Sequence, residues 1–125
     1  MRTAQQLYEI VVKHLRKQGQ KSHKVLSTKD GVVVEYKCLY RDAEGNRCPV
    51  GCLIPDYLYK PEMESKLLLE LLNSNLIPTG LAAELYAHRN LLLLLQDTHD
   101  NKPIHEWEKF FRMIADDHKL KYPKP

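Results

Sequence analysis

Long apolar runs are absent from this 125-residue chain. The one solid block, Leu91–Leu95, has five residues, against the ~20 that span a bilayer. No membrane partner is therefore expected. The opening stretch Met1-Arg2-Thr3-Ala4-Gln5-Gln6 lacks the apolar centre of a secretory leader and runs straight into a helical pattern, so the expectation is a cytoplasmic protein. Cysteine is scarce and odd in number: Cys38, Cys48 and Cys52 form no C-x-x-C, which argues against a disulfide framework and against dithiol redox chemistry. Also missing are G-x-x-x-x-G-K-[ST], G-x-G-x-x-G and G-x-S-x-G. Phosphate-loop, dinucleotide and hydrolase-elbow readings lose their support with them, and no cofactor is expected.

What the chain has is the composition of one globular domain, residues 1–125, with 43% hydrophobic and 28% charged residues. The net charge of +3 is unevenly placed. Residues 1–29 hold Arg2, Lys13, Arg16, Lys17, Lys21, Lys24 and Lys29 against Glu9 alone, so the rest of the chain is slightly acidic. A basic arm of this kind suits a solvated helix surface, and also contact with phosphate or an acidic protein face.

Periodicity predicts an α+β fold, mainly α with one β-hairpin: about four helices packed around a Leu-rich helix. Thr3 with Gln6 forms a capping-box pattern and Gly19 a stop, giving a helix over 4–18. Residues 20–30 read as a basic loop. From Val32 the apolar period becomes two, and Asp42-Ala43-Glu44-Gly45-Asn46 supplies turn chemistry, predicting a hairpin over 32–54 with a return strand from Arg47. Further helices are expected at 61–74, 80–97 and 103–119, followed by a frayed tail. The helix over 80–97 is apolar nearly all round, which places it at the centre or in a homo-oligomer interface.

The unusual residues concentrate between Tyr36 and Pro61, with all three cysteines and four of the seven tyrosines. Tyr40, Arg41, Arg47, Asp56, Tyr57 and Tyr59 make up the expected ligand- or partner-binding surface, since aromatics stack and arginines meet phosphate or carboxylate. His99 and Asp100 join that set. A His-Asp pair after a long helix is also what a metal-dependent phosphohydrolase uses, with His14, His88, Asp116 and Asp117 completing its ligands. Cys38, Cys48 and Cys52 with one histidine would make a zinc-stabilised nucleic-acid module, although the ligand spacing fits poorly. The plainer account makes the thiols small buried hydrophobes and has the polar residues at 97–101 satisfy backbone. No catalytic set emerges, which favours binding over catalysis.

The run Cys38-Leu39-Tyr40-Arg41, then Gly45, then Cys48–Tyr59 and Pro61-Glu62-Met63-Glu64 resembles a family of small uncharacterised phage and prophage proteins. Their pattern reads C-x-Y-R, a glycine, then C-A-V-G-x-L-I-P-D-x-x-Y-x-P-x-M-E. Leu95–Asp100 is similar to the family's L-Q-x-x-H-D, and Trp107 through Ala115 with His118 match its closing helix. The resemblance covers most of the chain, departing at Pro49, where alanine is usual, and at Ser65, where glycine is common. It brings no chemistry with it. It does imply a phage accessory protein working in the host cytoplasm, one that antagonises a host process such as defence by covering a host protein or sequestering a nucleotide-like signal.

Overall fold

The first helix forms where its caps dictate. In the computed structural model, which describes residues 1–125, α1 spans Ala4–Gln18. The Thr3 hydroxyl accepts from the Gln6 amide at 3.1 Å, and the Gln6 side chain accepts from the Thr3 amide at 2.8 Å, so two of the orphan donors are satisfied reciprocally. Gly19 ends the helix at φ 66°, and its N–H donates to Leu15 O. The inward face is Leu7, Tyr8, Val11, Val12 and Leu15, each fully buried. Burial of a side chain of this kind contributes about 1.5–3 kcal/mol.

The hairpin lies earlier than the alternation of residues 32–40 suggested. Strand β1 is His23–Lys29 and β2 is Val32–Cys38, antiparallel, so the basic loop expected at 20–30 is largely a strand. Asp30 (φ 54°) and Gly31 (φ 77°) form the two-residue connection. Both have positive φ, the geometry whose twist matches the flanking strands. The Asp42–Asn46 turn exists but closes only one bridge, Arg41 to Arg47. No return strand follows, because Cys48 caps a short helix, α2 (Pro49–Leu53), with Pro49 at its first position.

The three later helices that the pattern implied are each subdivided. The stretch 61–74 holds a 3₁₀ turn, Pro61–Ser65, and a short helix α3, Leu68–Leu72. The stretch 80–97 divides at His88 into α4 (Thr79–Ala87) and α5 (Arg89–Asn101), so α5 carries Leu91–Leu95 and runs on through His99. The last is a 3₁₀ turn, Ile104–Glu106, leading into α6 (Trp107–Asp117). The Leu-rich helix α5 is central, packed against α1, α2, α4 and α6. Leu91, Leu92 and Leu95 are buried, while Leu93 and Leu94 face outward.

The tail is docked rather than frayed. The Lys121 amide donates to Gln5 Oε1 and the Gln5 amide group donates to Lys121 O. Tyr122 donates its hydroxyl to Glu108, which also holds Arg16 in a bidentate pair. No helix is long and apolar enough to cross a membrane.

Candidate functional site

Where the hairpin joins the helices there is a cleft of about 480 Å³. One wall is the end of β2 and its continuation, Tyr36–Tyr40; the other is residues 64–68; Gln96, Asp100 and Asn101 at the end of α5 form the floor. Three contacts fix the strand to that floor. Tyr36 donates its hydroxyl to the Asp100 carbonyl at 3.1 Å, Lys21 Nζ reaches the same oxygen at 3.4 Å, and the Cys38 thiol lies 3.9 Å from it.

His99 is the hub beneath. It is fully buried and stacked on Trp107 with ring centroids 5.8 Å apart. The Ser22 backbone N–H points at its Nε2, 3.0 Å away. A backbone N–H can only donate, so Nε2 is the acceptor and the proton sits on Nδ1, which donates to Asp100 Oδ1 at 2.7 Å. Both ring nitrogens are therefore in use. Gln96 adds a second donor to Asp100 Oδ1 at 3.2 Å, while its own carbonyl accepts from the Val50 amide. Asp100 is thus fixed in position, and its Oδ2 accepts no hydrogen bond from the protein.

This arrangement decides how far the metal readings carry. Potential ligand atoms of Cys38, His99 and Asp100 all lie within 4.8 Å of one another. A neutral imidazole needs a free lone pair to coordinate, however, and the only one on His99 faces Ser22. Without a metal, burial and the Asp100 charge push the Cys38 thiol up to about 12. The residues do not fit a metal in this geometry. Cys48 and Cys52 stay out of the cluster: the Cys48 sulfur accepts from the Gly51 amide as the cap of α2, and Cys52 donates to Pro49 O. Burial raises both thiols, Cys52 to about 12. Neither His14, His88, Asp116 nor Asp117 joins the cluster with His99; His14 is bonded to the Arg47 carbonyl instead.

The aromatic and arginine residues singled out from the sequence separate into three: a cluster around Asp56, a buried Tyr40 and an exposed Tyr57. Arg41 and Arg47 converge on Asp56 Oδ1 at 2.7 and 3.1 Å, and Arg41 lies over the Tyr59 ring, 4.9 Å from its centroid. These cations are compensated internally, with Arg41 also donating to Ile54 O at 2.6 Å. Tyr40, expected at the surface, is buried, its hydroxyl donating to Lys66 O at 2.7 Å. Tyr57 stands apart, 84% exposed.

The sequence reading missed two residues. Glu64 accepts from the amides of Tyr40 and Arg41 and from the Tyr59 hydroxyl, all within 3.1 Å, which fastens the cleft's two walls together. Gln96 is four residues before Asp100 on α5, and that i, i+4 spacing was the available signal. Glu64 had none, since its two backbone partners are more than twenty positions away and its side-chain partner, Tyr59, lies outside any regular helical spacing.

Comparison of the chain with protein-family models, with characterised proteins and with solved structures finds no match.

Proposed function

We propose that this chain acts by binding, as a small accessory protein of the phage type its sequence resembles, and that it antagonises a host process by covering a host protein. The observation that carries this reading is the outer half of the hairpin. Val25, Leu26, Val32, Val33 and Val34 are all exposed there, Val32 at 63% and Val34 at 60%, on a two-stranded sheet whose packing is chiefly strand on strand. An isolated hairpin is marginal in water, and an apolar one this open is suited to a partner's surface. The alternative occupant, a nucleotide-like signal, is less well served, because Lys37 and Lys66 in the cleft lining are offset by Glu64 and by the Asp100 carboxylate on its floor.

The test is affinity capture from host extract with wild-type protein beside a doubly substituted Val32→Lys/Val34→Lys chain, with nucleotide extracted from the purified protein in parallel. The reading expects a stoichiometric protein partner retained by the wild type and lost by the variant. Equal retention by both, or a co-purified nucleotide with no protein partner, would sink it.

A further inference from the structure

The cleft has a feature that a general docking surface does not require: one of its walls is an open strand edge. Leu39 N–H donates to Ser22 O at 3.0 Å, and pairing runs unbroken through Cys38–His23, Lys37–Lys24 and Tyr36–Val25. In an antiparallel ladder, backbone polar groups face alternately toward and away from the paired strand. Those of Leu39 and Lys37 therefore face β1, and those of Tyr36, Cys38 and Tyr40 face away from it. Tyr40 bears this out. Its N–H, directed away from β1, is taken by Glu64 Oε1 at 2.9 Å, a side-chain acceptor standing where the carbonyl of a third strand would stand, and its carbonyl accepts from the Cys48 amide. The edge is closed at Tyr40 and open at Cys38 and Tyr36, over about 7 Å of strand at ~3.3 Å per residue.

What borders that opening restricts the occupant. Asp100 presents a carboxylate held by His99 and Gln96 with Oδ2 free, so a hydrogen-bond donor is complementary at that oxygen, although Lys37 and Lys66 also line the cleft. Leu67 on the facing wall is 76% exposed, which gives an apolar side chain a place beside it. Building on the binding function above, we propose that the cleft receives an extended segment of the partner protein as a third strand on β2. A Lys or Arg of that segment meets Asp100 and its apolar neighbours cover Leu67. Backbone pairing supplies the attachment and the alternate side chains supply the selectivity.

A random nonapeptide display library selected on the wild-type protein tests this. The expected winners are extended, β-branched sequences with one basic residue, and the recovered peptide, synthesised with a fluorophore, gives affinities by anisotropy. Cys38→Pro removes an outward-facing N–H that the β1 ladder does not use, so it should bind that peptide about tenfold more weakly than Cys38→Ala. Asp100→Asn should abolish the preference for the basic residue over a glutamate in its place. Should the proline variant fail to fold by circular dichroism, a peptide N-methylated at its alternate amides must lose binding to the wild type instead. Equal binding by the proline and alanine variants or by the methylated peptide, a selection that enriches nothing, or displacement of the peptide by a cyclic dinucleotide would each overturn strand addition. The two proposals fail separately: a host partner lost with Val32→Lys/Val34→Lys but retained with Cys38→Pro leaves the binding function standing and removes the edge.

Discussion

In the helical body, Leu7, Val11, Leu15, Leu92, Leu95 and Phe111 are wholly enclosed, whereas in the hairpin Val32, Val33 and Val34 stand in solvent. The two regions share residue types and differ in what those residues touch. A leucine of the body has lost its water and gained packed neighbours, so its replacement is measured in stability. A valine of the hairpin tip has gained little on folding. On the proposed binding function, its replacement should be measured in affinity. Between the two regions lies the hairpin root, where Ser22, Tyr36 and Cys38 meet His99 and Asp100.

The sharpest way to break the body is at Gly51. Its Cβ, if it had one, would be 2.0 Å from the Tyr40 carbonyl oxygen, with Tyr40 C and Cα also inside 3.2 Å. The obstacle is backbone, so no rotamer change relieves it. Gly51→Ala should cost about 3 kcal/mol or more, lowering the thermal midpoint by more than about 10 °C. Because α2 and the Arg41–Arg47 bridge meet there, the cleft wall should move with it. A melt within a few degrees of wild type would show that α2 sits further from Tyr40 than described.

A smaller effect, with a pH signature, belongs to Glu84. It is buried on α4 and takes four hydrogen bonds from Arg2, including the Arg2 backbone amide at 2.6 Å. The Arg2 bonds hold its carboxyl down from 4.5 to about 2. A depressed acid stabilises the fold above its unfolded value, and that contribution disappears as pH falls through the interval from about 4.5 to about 2. With Arg2 one-third exposed, solvent screening brings the contribution to about 2 kcal/mol. Glu84→Gln should lose that amount at neutral pH and flatten the acid limb of a urea-denaturation series. A parallel acid limb in wild type and variant would remove the pair from the account of stability.

The difference between the regions also explains which parts of the fold could be read from the sequence. The body was legible because its helices carry local signals: Thr3, Gln6 and Gly19 bracket α1, and the unbroken apolar run 91–95 marks the central helix. The hairpin was misplaced because the alternation of Val32–Tyr40 identifies one strand without naming its partner. The Asp42–Asn46 turn advertised a hairpin as clearly as Asp30-Gly31 did. What decided between them was Pro49, which starts α2 and leaves no residues for a return strand. His99 and Asp100 were visible as a pair, but their roles were not. The donor that fixes the imidazole is the Ser22 amide, 77 residues away, and no spacing rule reaches that far. Glu64 went unnoticed for the same reason, as did the buried state of Tyr40.

In the hairpin the turn is the next place to press. Gly31 at φ 77° and Asp30 at φ 54° form a connection in which both residues are left-handed. A Cβ at Gly31 meets nothing within 4 Å, so the cost of Gly31→Ala is conformational strain alone, about 1 kcal/mol. The strain should stay local, because the tip has few ties to the body. Backbone amides of β1 and β2 should exchange several-fold faster while those of α1 and α5 keep their protection. Uniform acceleration across the chain would mean that hairpin and body unfold together, and that the contrast drawn between them is wrong.

The smallest effect on stability should come from the substitutions with the largest effect on binding. Val32→Lys/Val34→Lys replaces two exposed side chains on a strand, and surface changes of this kind fall within about 0.5 kcal/mol. Both positions lie on the tip side of Tyr36, away from the cluster at Ser22, Cys38, His99 and Asp100, so the cleft should keep its form. The variant should therefore melt within about 2 °C of wild type and give the same hydrogen-exchange pattern in α5. A loss of 2 kcal/mol or more would mean that these valines are covered by the chain itself, or by a second copy of it in solution. Sedimentation of the wild type separates those two cases, because only the second gives a mass above that of a single chain. In either case the exposed tip would be a folding element, and its apolar surface would no longer point to a partner.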